Sequence, residues 1–137
     1  MPTVYEKSFF SELGVVKPVI SECLEFLKIH FPSLPSGETF EMKLILSELL
    51  FNAVIHGNNC DRDKFVTIKL EVVQSSISVI VKDEGEGFNY RTLMQSFSVD
   101  ENLFGEHGRG IRLVFKLADN LIFNEAGNEI KFSKRIG

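Results

Sequence analysis

Residues 83–87, Asp-Glu-Gly-Glu-Gly, could recognise a flat ligand through one carboxylate and a closely approaching backbone. Gly85 and Gly87 carry no Cβ, so they allow sharp turns and close approach. The Asp83 carboxylate could accept a hydrogen bond from an exocyclic amine. The alternative is an acidic turn that follows a strand and binds no ligand.

Residues 105–110 form a second glycine-rich segment, and this one could bind an anion. Gly105, Gly108 and Gly110 lead directly into a run with helical spacing that starts at Ile111. Glycines at a helix N-terminus expose backbone N–H groups beside the positive end of the helix dipole, which suits phosphate. The segment lacks the Gly-Lys-Ser/Thr of the phosphate loop, and no strand runs directly into it as in the Rossmann motif. The alternative is a flexible loop followed by a helix start.

Glu48, Asn52 and His56 recur at four-residue spacing inside a segment whose other residues are mostly apolar. On an α-helix this spacing separates successive Cβ atoms by about 5–6 Å, so a carboxylate, a carboxamide and an imidazole would lie in one line. The apolar residues of the segment recur every three or four positions and predict a buried stripe. The polar line is therefore either part of a site or a solvated face, and the helix alone does not decide.

The remaining patterns predict the elements that position these groups. Helices are expected over 12–31, from about 38 to 57, and from 108 onward; strands are expected over 4–10, 65–73, 76–82, 121–124 and 129–134. Residues 89–107 have weak periodicity and predict a short helix plus a mobile loop. The sum is an α+β fold, a two-layer sandwich with helices on one face of a mostly antiparallel sheet.

Local signals predict where these helices begin and end. Pro18 should lie in the first turn of the first helix, where its missing N–H costs little. Ser36 or Thr39 could cap the second helix, and residues 57–59, Gly-Asn-Asn, should end it because they tolerate the left-handed conformation. A stripe on the first helix could serve either the core of the domain or a dimer; it consists of Ile20, Leu24, Leu27 and Phe31.

The composition predicts one soluble domain over residues 1–137. Hydrophobic residues make up 44% and charged residues 25%, and the net charge of −4 argues against a nucleic-acid-binding surface. The apolar runs are far shorter than a membrane span, and the N-terminus lacks the form of a signal peptide. Cys23 and Cys60 are expected to be idle thiols in a reducing cytoplasm. Thirteen Phe residues and no Trp suggest a core built on Phe.

Taken together and in order, the three motifs resemble the GHKL or Bergerat-fold ATPases. The pattern is Glu-x-x-x-Asn, then Asp-x-Gly-x-Gly, then Gly-x-Gly at a helix start, and it spans residues 38–134. The small single domain and the Asn-Ala-x-x-His-Gly form of the helix end are similar to the bacterial anti-sigma-factor serine kinases.

This resemblance implies a role for each matching residue. Asn52 would bind Mg²⁺ through its side-chain oxygen, Glu48 would act as general base, and Asp83 would read the adenine amino group. Residues 96–107 would take the place of the ATP lid. The glycines that shape the adenine pocket would be Gly85 and Gly87. The segment that holds phosphate would comprise Gly105, His107, Gly108, Arg109, Gly110 and Ile111.

The function implied is that of an ATP- and Mg²⁺-dependent protein serine kinase. It would phosphorylate a serine on a small anti-sigma antagonist of the STAS type and sequester a sigma factor, as a cytoplasmic homodimer. One alternative is a nucleotide-gated protein-binding module without kinase activity; another is a related kinase whose target lies outside sigma-factor control. Two features depart from the family: Asn128 and Glu129 follow Gly127 where a Thr is common, and the lid lacks a lysine.

Overall fold

The computed structural model of the chain describes residues 3–87 and 105–136, and for residues 105–109 it describes the backbone only. The strands are β1 (Thr3–Phe10), β2 (Phe65–Val73), β3 (Ser76–Lys82), β4 (Asn120–Phe123) and β5 (Glu129–Arg135). The helices are α1 (Leu13–His30), α2 (Ser36–Asn52) and α3 (Gly105–Leu117), and a π-helical turn (Ala53–Gly57) extends α2. The predicted α+β fold is confirmed.

The five strands form one antiparallel sheet in the order β1-β2-β3-β5-β4. The strand predicted over residues 4–10 is therefore an edge strand of the sheet. Alternate residues of β2 and β3 are buried, as the period of two predicts for a sheet with one covered face. Only Gln74 and Ser75 join these two strands, and Gln74 has a φ of 54°.

The core lies between this sheet and the helices. Every apolar residue that predicted the buried stripe of the second helix is buried: Met42, Ile45, Leu46, Leu49, Leu50, Ala53 and Val54. In the stripe predicted on the first helix, Ile20, Leu27 and Phe31 are buried and Leu24 packs against the core, so this stripe serves the domain itself. Phe31 lies just after the end of α1. No helix in the described part of the chain combines the length and the apolar character of a membrane span.

The expectation of a Phe-based core is wrong for the described residues. Phe9, Phe31 and Phe132 are buried, but most of the core consists of Leu, Ile and Val. Phe10 and Phe65 face each other across β1 and β2 on the side away from the helices, with their rings 4.3 Å apart. Strand alternation therefore places aromatic residues on both sides of the sheet.

Both cysteines are free, as expected. Cys23 is fully buried, and burial raises the pKa of its thiol to about 12, so it stays protonated at neutral pH. Cys60 is exposed.

Two predicted helix starts are wrong in detail. Pro18 is the sixth residue of α1 and lies in its second turn, which leaves the exposed carbonyl of Gly14 without a helical donor. Ser36 is already the first residue of α2, and no side chain caps that helix. The Thr39 hydroxyl instead donates to the Pro35 carbonyl, 3.2 Å away. These helices depend on packing more than on caps.

The C-terminal end of the second helix widens before the chain leaves it. The Asn58 N–H donates to the Ala53 carbonyl at 2.9 Å, five residues back instead of four. Asn59 and Cys60 then adopt left-handed conformations, with φ of 52° and 57°. The predicted stop is confirmed, although Asn59 and Cys60 make the left-handed turn and Gly57 does not.

Candidate nucleotide-binding site

An open pocket lies between the C-terminal half of α2, the end of β3, α3 and the β4–β5 hairpin. The lining combines an apolar floor with a few polar groups: Leu49, Asn52, Ala53, His56, Gly57, Val81, Asp83, Gly87, Ile111, Phe123, Gly127, Asn128, Glu129 and Ile130. Residues from all three sequence motifs therefore meet at one pocket.

The line formed by Glu48, Asn52 and His56, along α2 and its π-helical turn, is only partly exposed to solvent. Asn52 and His56 line the pocket, and Asn52 is half-buried whereas His56 is exposed. Glu48 lies one turn before Asn52 and is also half-buried. Burial raises the pKa of the Glu48 carboxyl above its usual value. A solvated face does not describe this arrangement, because two of its three members are partly withdrawn from water.

Asp83 lies directly against the end of the second helix. A Cβ on Gly57 would overlap the Asp83 carboxylate, so any side chain there would displace that carboxylate. The Asp83 Oδ1 atom accepts a hydrogen bond from the Gly85 N–H at 2.8 Å. Burial raises the pKa of Asp83, while the Gly85 N–H and the charge of Lys64 oppose that rise. The carboxylate is thus held at the pocket wall in a fixed orientation.

Gly85 and Gly87 permit contacts between backbone segments. A Cβ on Gly85 would overlap the Gly57 carbonyl, and one on Gly87 would overlap the Ala126 carbonyl. Gly87 also has a φ of 88°, which side chains rarely adopt. The loop after β3 therefore packs between the end of the second helix and the β4–β5 turn. Gly85 and Gly87 shape the pocket because they allow these backbone segments to be in contact.

The third motif lies deeper in its helix than the sequence predicts. α3 begins at Gly105, three residues before the predicted start, so Gly108 and Gly110 are helical residues. The amides of Gly110 and Ile111 lie beyond the first turn, where carbonyls of the same helix accept them. Ile111 lines the pocket, and a Cβ on Gly110 would overlap the Glu48 carboxylate.

Several predictions concern residues outside the described part of the chain. The side chains of His107 and Arg109 are among these, so their phosphate contacts stay predictions. Most of the predicted short helix and loop, and most of the predicted lid, fall on residues 88–104, which are not described. Residues 105–107, the end of that predicted loop, instead begin α3.

Asn58 is a fully buried polar side chain that sequence reasoning assigned only to a helix stop. Its Nδ2 group donates to Ser11 Oγ at 2.6 Å and to the Phe65 carbonyl at 2.9 Å. Its Oδ1 atom accepts from the Glu84 N–H at 2.8 Å. No periodic signal could have found this role, because the partners are between 7 and 47 residues away in sequence.

Asn128, found where the resemblance expects a Thr nearby, lines the pocket. Its carbonyl accepts from the Asp83 N–H at 2.9 Å, and its Nδ2 group donates to the Gly85 carbonyl at 3.3 Å. The Asn124 side chain accepts from three amides of the β4–β5 turn and donates to Asn128 Oδ1 at 2.7 Å. The hairpin turn and the loop after β3 are thus joined by asparagine side chains.

Residues 11–134 match the family of histidine kinase-like ATPase domains. The chain belongs to this family. The predicted membership of the GHKL superfamily is confirmed, and the pocket described above is the place where the three motifs of this ATPase domain meet.

Curated relatives of this ATPase domain are regulators of bacterial sigma factors and a protein kinase, according to their names. The anti-sigma F factor of Clostridium perfringens strain SM101 is 26% identical over 100 residues, which cover 58% of this chain and 71% of that protein. Serine-protein kinase RsbW of Bacillus subtilis strain 168 is 30% identical over 105 residues, covering 71% of this chain and 64% of that protein. The anti-sigma F factor of Geobacillus stearothermophilus is 27% identical over 95 residues, covering 69% and 65%.

The donor groups of this ATPase domain fit a nucleotide that brings its own metal. Among residues 3–87 and 105–136, no three His, Cys, Asp or Glu side chains converge as an all-protein metal site would need. Mg²⁺ usually takes only one or two protein oxygens and completes its shell with phosphate oxygens and water. The amide oxygen of Asn52, on the pocket wall, is a donor of this type.

Proposed function

We propose that the chain binds Mg-ATP in this pocket and transfers the γ-phosphoryl group to a serine of another protein. Asp83 would accept the hydrogen bond of the adenine amino group, and Asn52 would provide the protein ligand of the metal. The observation that carries the proposal is the position of Glu48: a half-buried carboxylate, one helical turn before Asn52 and packed against Gly110 of the third motif.

The chemistry requires a base near the reacting hydroxyl. Bound Mg-ATP would supply the phosphoryl group and neutralise charge on its oxygens. The serine oxygen forms a bond to the γ-phosphorus, the bond from that phosphorus to the bridging oxygen breaks, and ADP leaves. Glu48 accepts the serine proton. Because burial raises its pKa, Glu48 is a stronger base than an exposed glutamate.

We propose further that the kinase acts in sigma-factor control as a cytoplasmic homodimer. It would hold a sigma factor and phosphorylate a serine on a small antagonist of the STAS type. The support is the family of the chain and the names of the three relatives described above: two are anti-sigma F factors and one is a serine-protein kinase. A pull-down from the source cell with Mg-ATP and with Mg-ADP tests this: recovery of a sigma factor and of such an antagonist is expected.

Replacing Glu48 by Gln tests the catalytic step. Nucleotide affinity should stay close to that of the unmodified chain, because Gln keeps the size of the side chain, whereas transfer to the recovered antagonist should fall about 10²-fold or more. An unmodified chain that binds Mg-ATP but never phosphorylates a captured protein would support the alternative, a nucleotide-gated binding module.

Replacing Asn52 by Ala tests the metal ligand. Calorimetry should show a clear loss of affinity for Mg-ATP and a much smaller loss for ATP in the presence of a chelator. Equal affinities of this variant and the unmodified chain for Mg-ATP would exclude Asn52 as the ligand.

A further inference from the structure

We propose that Asn58 is a positioning residue for base recognition, which acts through the backbone of Glu84 on the orientation of Asp83. The inference rests on the proposed binding of ATP, and it adds a residue that lies outside all three motifs. Asn58 does not line the pocket, so it acts without touching the ligand.

Because Asn58 is buried, losing its hydrogen bonds would cost free energy. The side chain has no exposed surface, and its three bonds join it to Ser11, Phe65 and Glu84. A buried amide N–H that loses its acceptor bears the cost of desolvation without compensation. The Glu84 N–H is a partly buried case: Asn58 Oδ1 accepts from it at 2.8 Å in a partly buried bond, although Glu84 as a residue is exposed.

Asn58 holds Glu84 at the point where the chain leaves β3. Phe65 takes part in the same network, because its carbonyl accepts from Asn58 and its N–H donates to the Glu84 carboxylate. The start of β2, the end of the second helix and the residue after Asp83 are therefore joined through one buried side chain.

Asp83 is held from both sides by this arrangement. Gly57 lies against its carboxylate, and the next residue along the chain, Asn58, binds the next residue after Asp83. On the other side, the Asp83 N–H donates to the Asn128 carbonyl. Without the bond to Asn58, residues 84–85 can rotate away from the helix, and the Gly85 N–H that fixes the Asp83 Oδ1 atom moves with them.

The consequence is measurable as base discrimination. Inosine triphosphate carries an oxygen where ATP carries the amino group, so a correctly oriented Asp83 carboxylate should favour ATP. In Asn58→Ala the ratio of the two affinities should fall by about tenfold. The matched control is Ser11→Ala, which removes a partner of Asn58 in the same buried network but no bond to the loop after β3. This control should lose stability and keep the ratio.

The experiment compares both variants with the unmodified chain by calorimetry with Mg-ATP and Mg-inosine triphosphate, and by amide hydrogen exchange without nucleotide. The Glu84 amide should exchange slowly in the unmodified chain and in Ser11→Ala, and faster in Asn58→Ala. In an Asp83→Asn background, Asn58→Ala should not change the ratio further, because the group on which it acts is already altered. Asn58→Asp keeps an acceptor for the Glu84 N–H but must be protonated to donate to the Phe65 carbonyl, so it should lose stability and keep the ratio, even if Asn58→Ala does not fold.

Two results would overturn the inference alone: an affinity ratio that is unchanged in Asn58→Ala, or one that is lost in Asn58→Asp although the Glu84 amide stays protected. A Glu84 amide that exchanges freely in the unmodified chain also overturns it, independently of any nucleotide. An unmodified chain that does not bind Mg-ATP overturns the proposed function itself, and with it the role of Asn58 in base recognition.

Discussion

Gly110 offers a way to displace the proposed base without damaging the fold. A Cβ at this position would overlap Glu48 Oε2 and would lie 2.8 Å from the Glu48 carboxyl carbon. Ordinary carbon contacts need about 3.5–4.0 Å, so the carboxyl group must withdraw by about 1 Å. Only the flexible end of a side chain has to move, because no atom of another backbone segment is among the three nearest.

The two expected effects of Gly110→Ala have very different sizes. Alanine in a helix interior is more favourable than glycine by about 1 kcal/mol, and turning the Glu48 side chain costs about 0.5–1.5 kcal/mol. The free energy of unfolding should therefore change by less than about 1 kcal/mol. A misplacement of about 1 Å in a catalytic group can reduce the rate about 10²-fold. Phosphoryl transfer should fall by about that factor.

The assay combines denaturant unfolding, calorimetry with Mg-ATP, and transfer of labelled phosphate to the antagonist protein recovered by pull-down. Gly14→Ala is the matched control, because a Cβ at Gly14 meets no atom within 4 Å and that helix lies away from the pocket. The control should keep full transfer. If Gly110→Ala is as active as the unmodified chain, Glu48 is not the base. If it unfolds, the contact is not the adjustable one described here.

Three further predictions concern stability. Because burial raises the pKa of Glu48, the native state keeps this proton at pH values at which the unfolded state has lost it, and stability falls as pH rises from about 4.3 to the raised pKa. Glu48→Gln should therefore be more stable than the unmodified chain at pH 7 and equally stable below about pH 4, as measured by urea unfolding. Gly87→Ala should lose about 1–3 kcal/mol or more, because its φ of 88° is strained for alanine and the Ala126 carbonyl blocks the new Cβ; thermal unfolding checks this. Leu46→Ala should cost about 2–5 kcal/mol by the same measurement, because Leu46 has no exposed surface.

The parts of the fold that could be predicted are those that the local spacing of apolar residues determines. The α2 stripe, the β2–β3 hairpin and the β4–β5 hairpin follow from spacings of three to four or of two residues. Asn52, Asp83 and Ile111, one residue from each of the three motifs, line one pocket, as expected if the motifs form a single site. The predicted and observed elements agree here because burial in the core requires the same spacing of apolar residues that the sequence shows.

The parts that could not be predicted depend on distant contacts. Neither Ser36 nor Thr39 caps α2, and its five buried apolar residues show that tertiary packing supports this helix. The start of α3 at Gly105 goes against the usual preference for glycine outside helices. Asn58 looks like a helix terminator in sequence, and its role emerges only when Ser11 and Glu84 are brought beside it. The need for glycine at position 110 likewise becomes visible only in the folded structure, where Glu48 lies against it.

Because of the π-helical turn at Ala53–Gly57, the number of residues in this turn determines where Gly57 and Asn58 lie relative to the site. The turn holds one residue more than an α-helical turn, as the bond from the Asn58 N–H to the Ala53 carbonyl shows. Deleting one residue there would let the helix close with ordinary bonds, so the core residues before it could stay in place. The same deletion would shift Gly57 out of register with Asp83 and withdraw Asn58 from Glu84. Insertions and deletions in this turn should therefore be selected against more strongly than most substitutions in it.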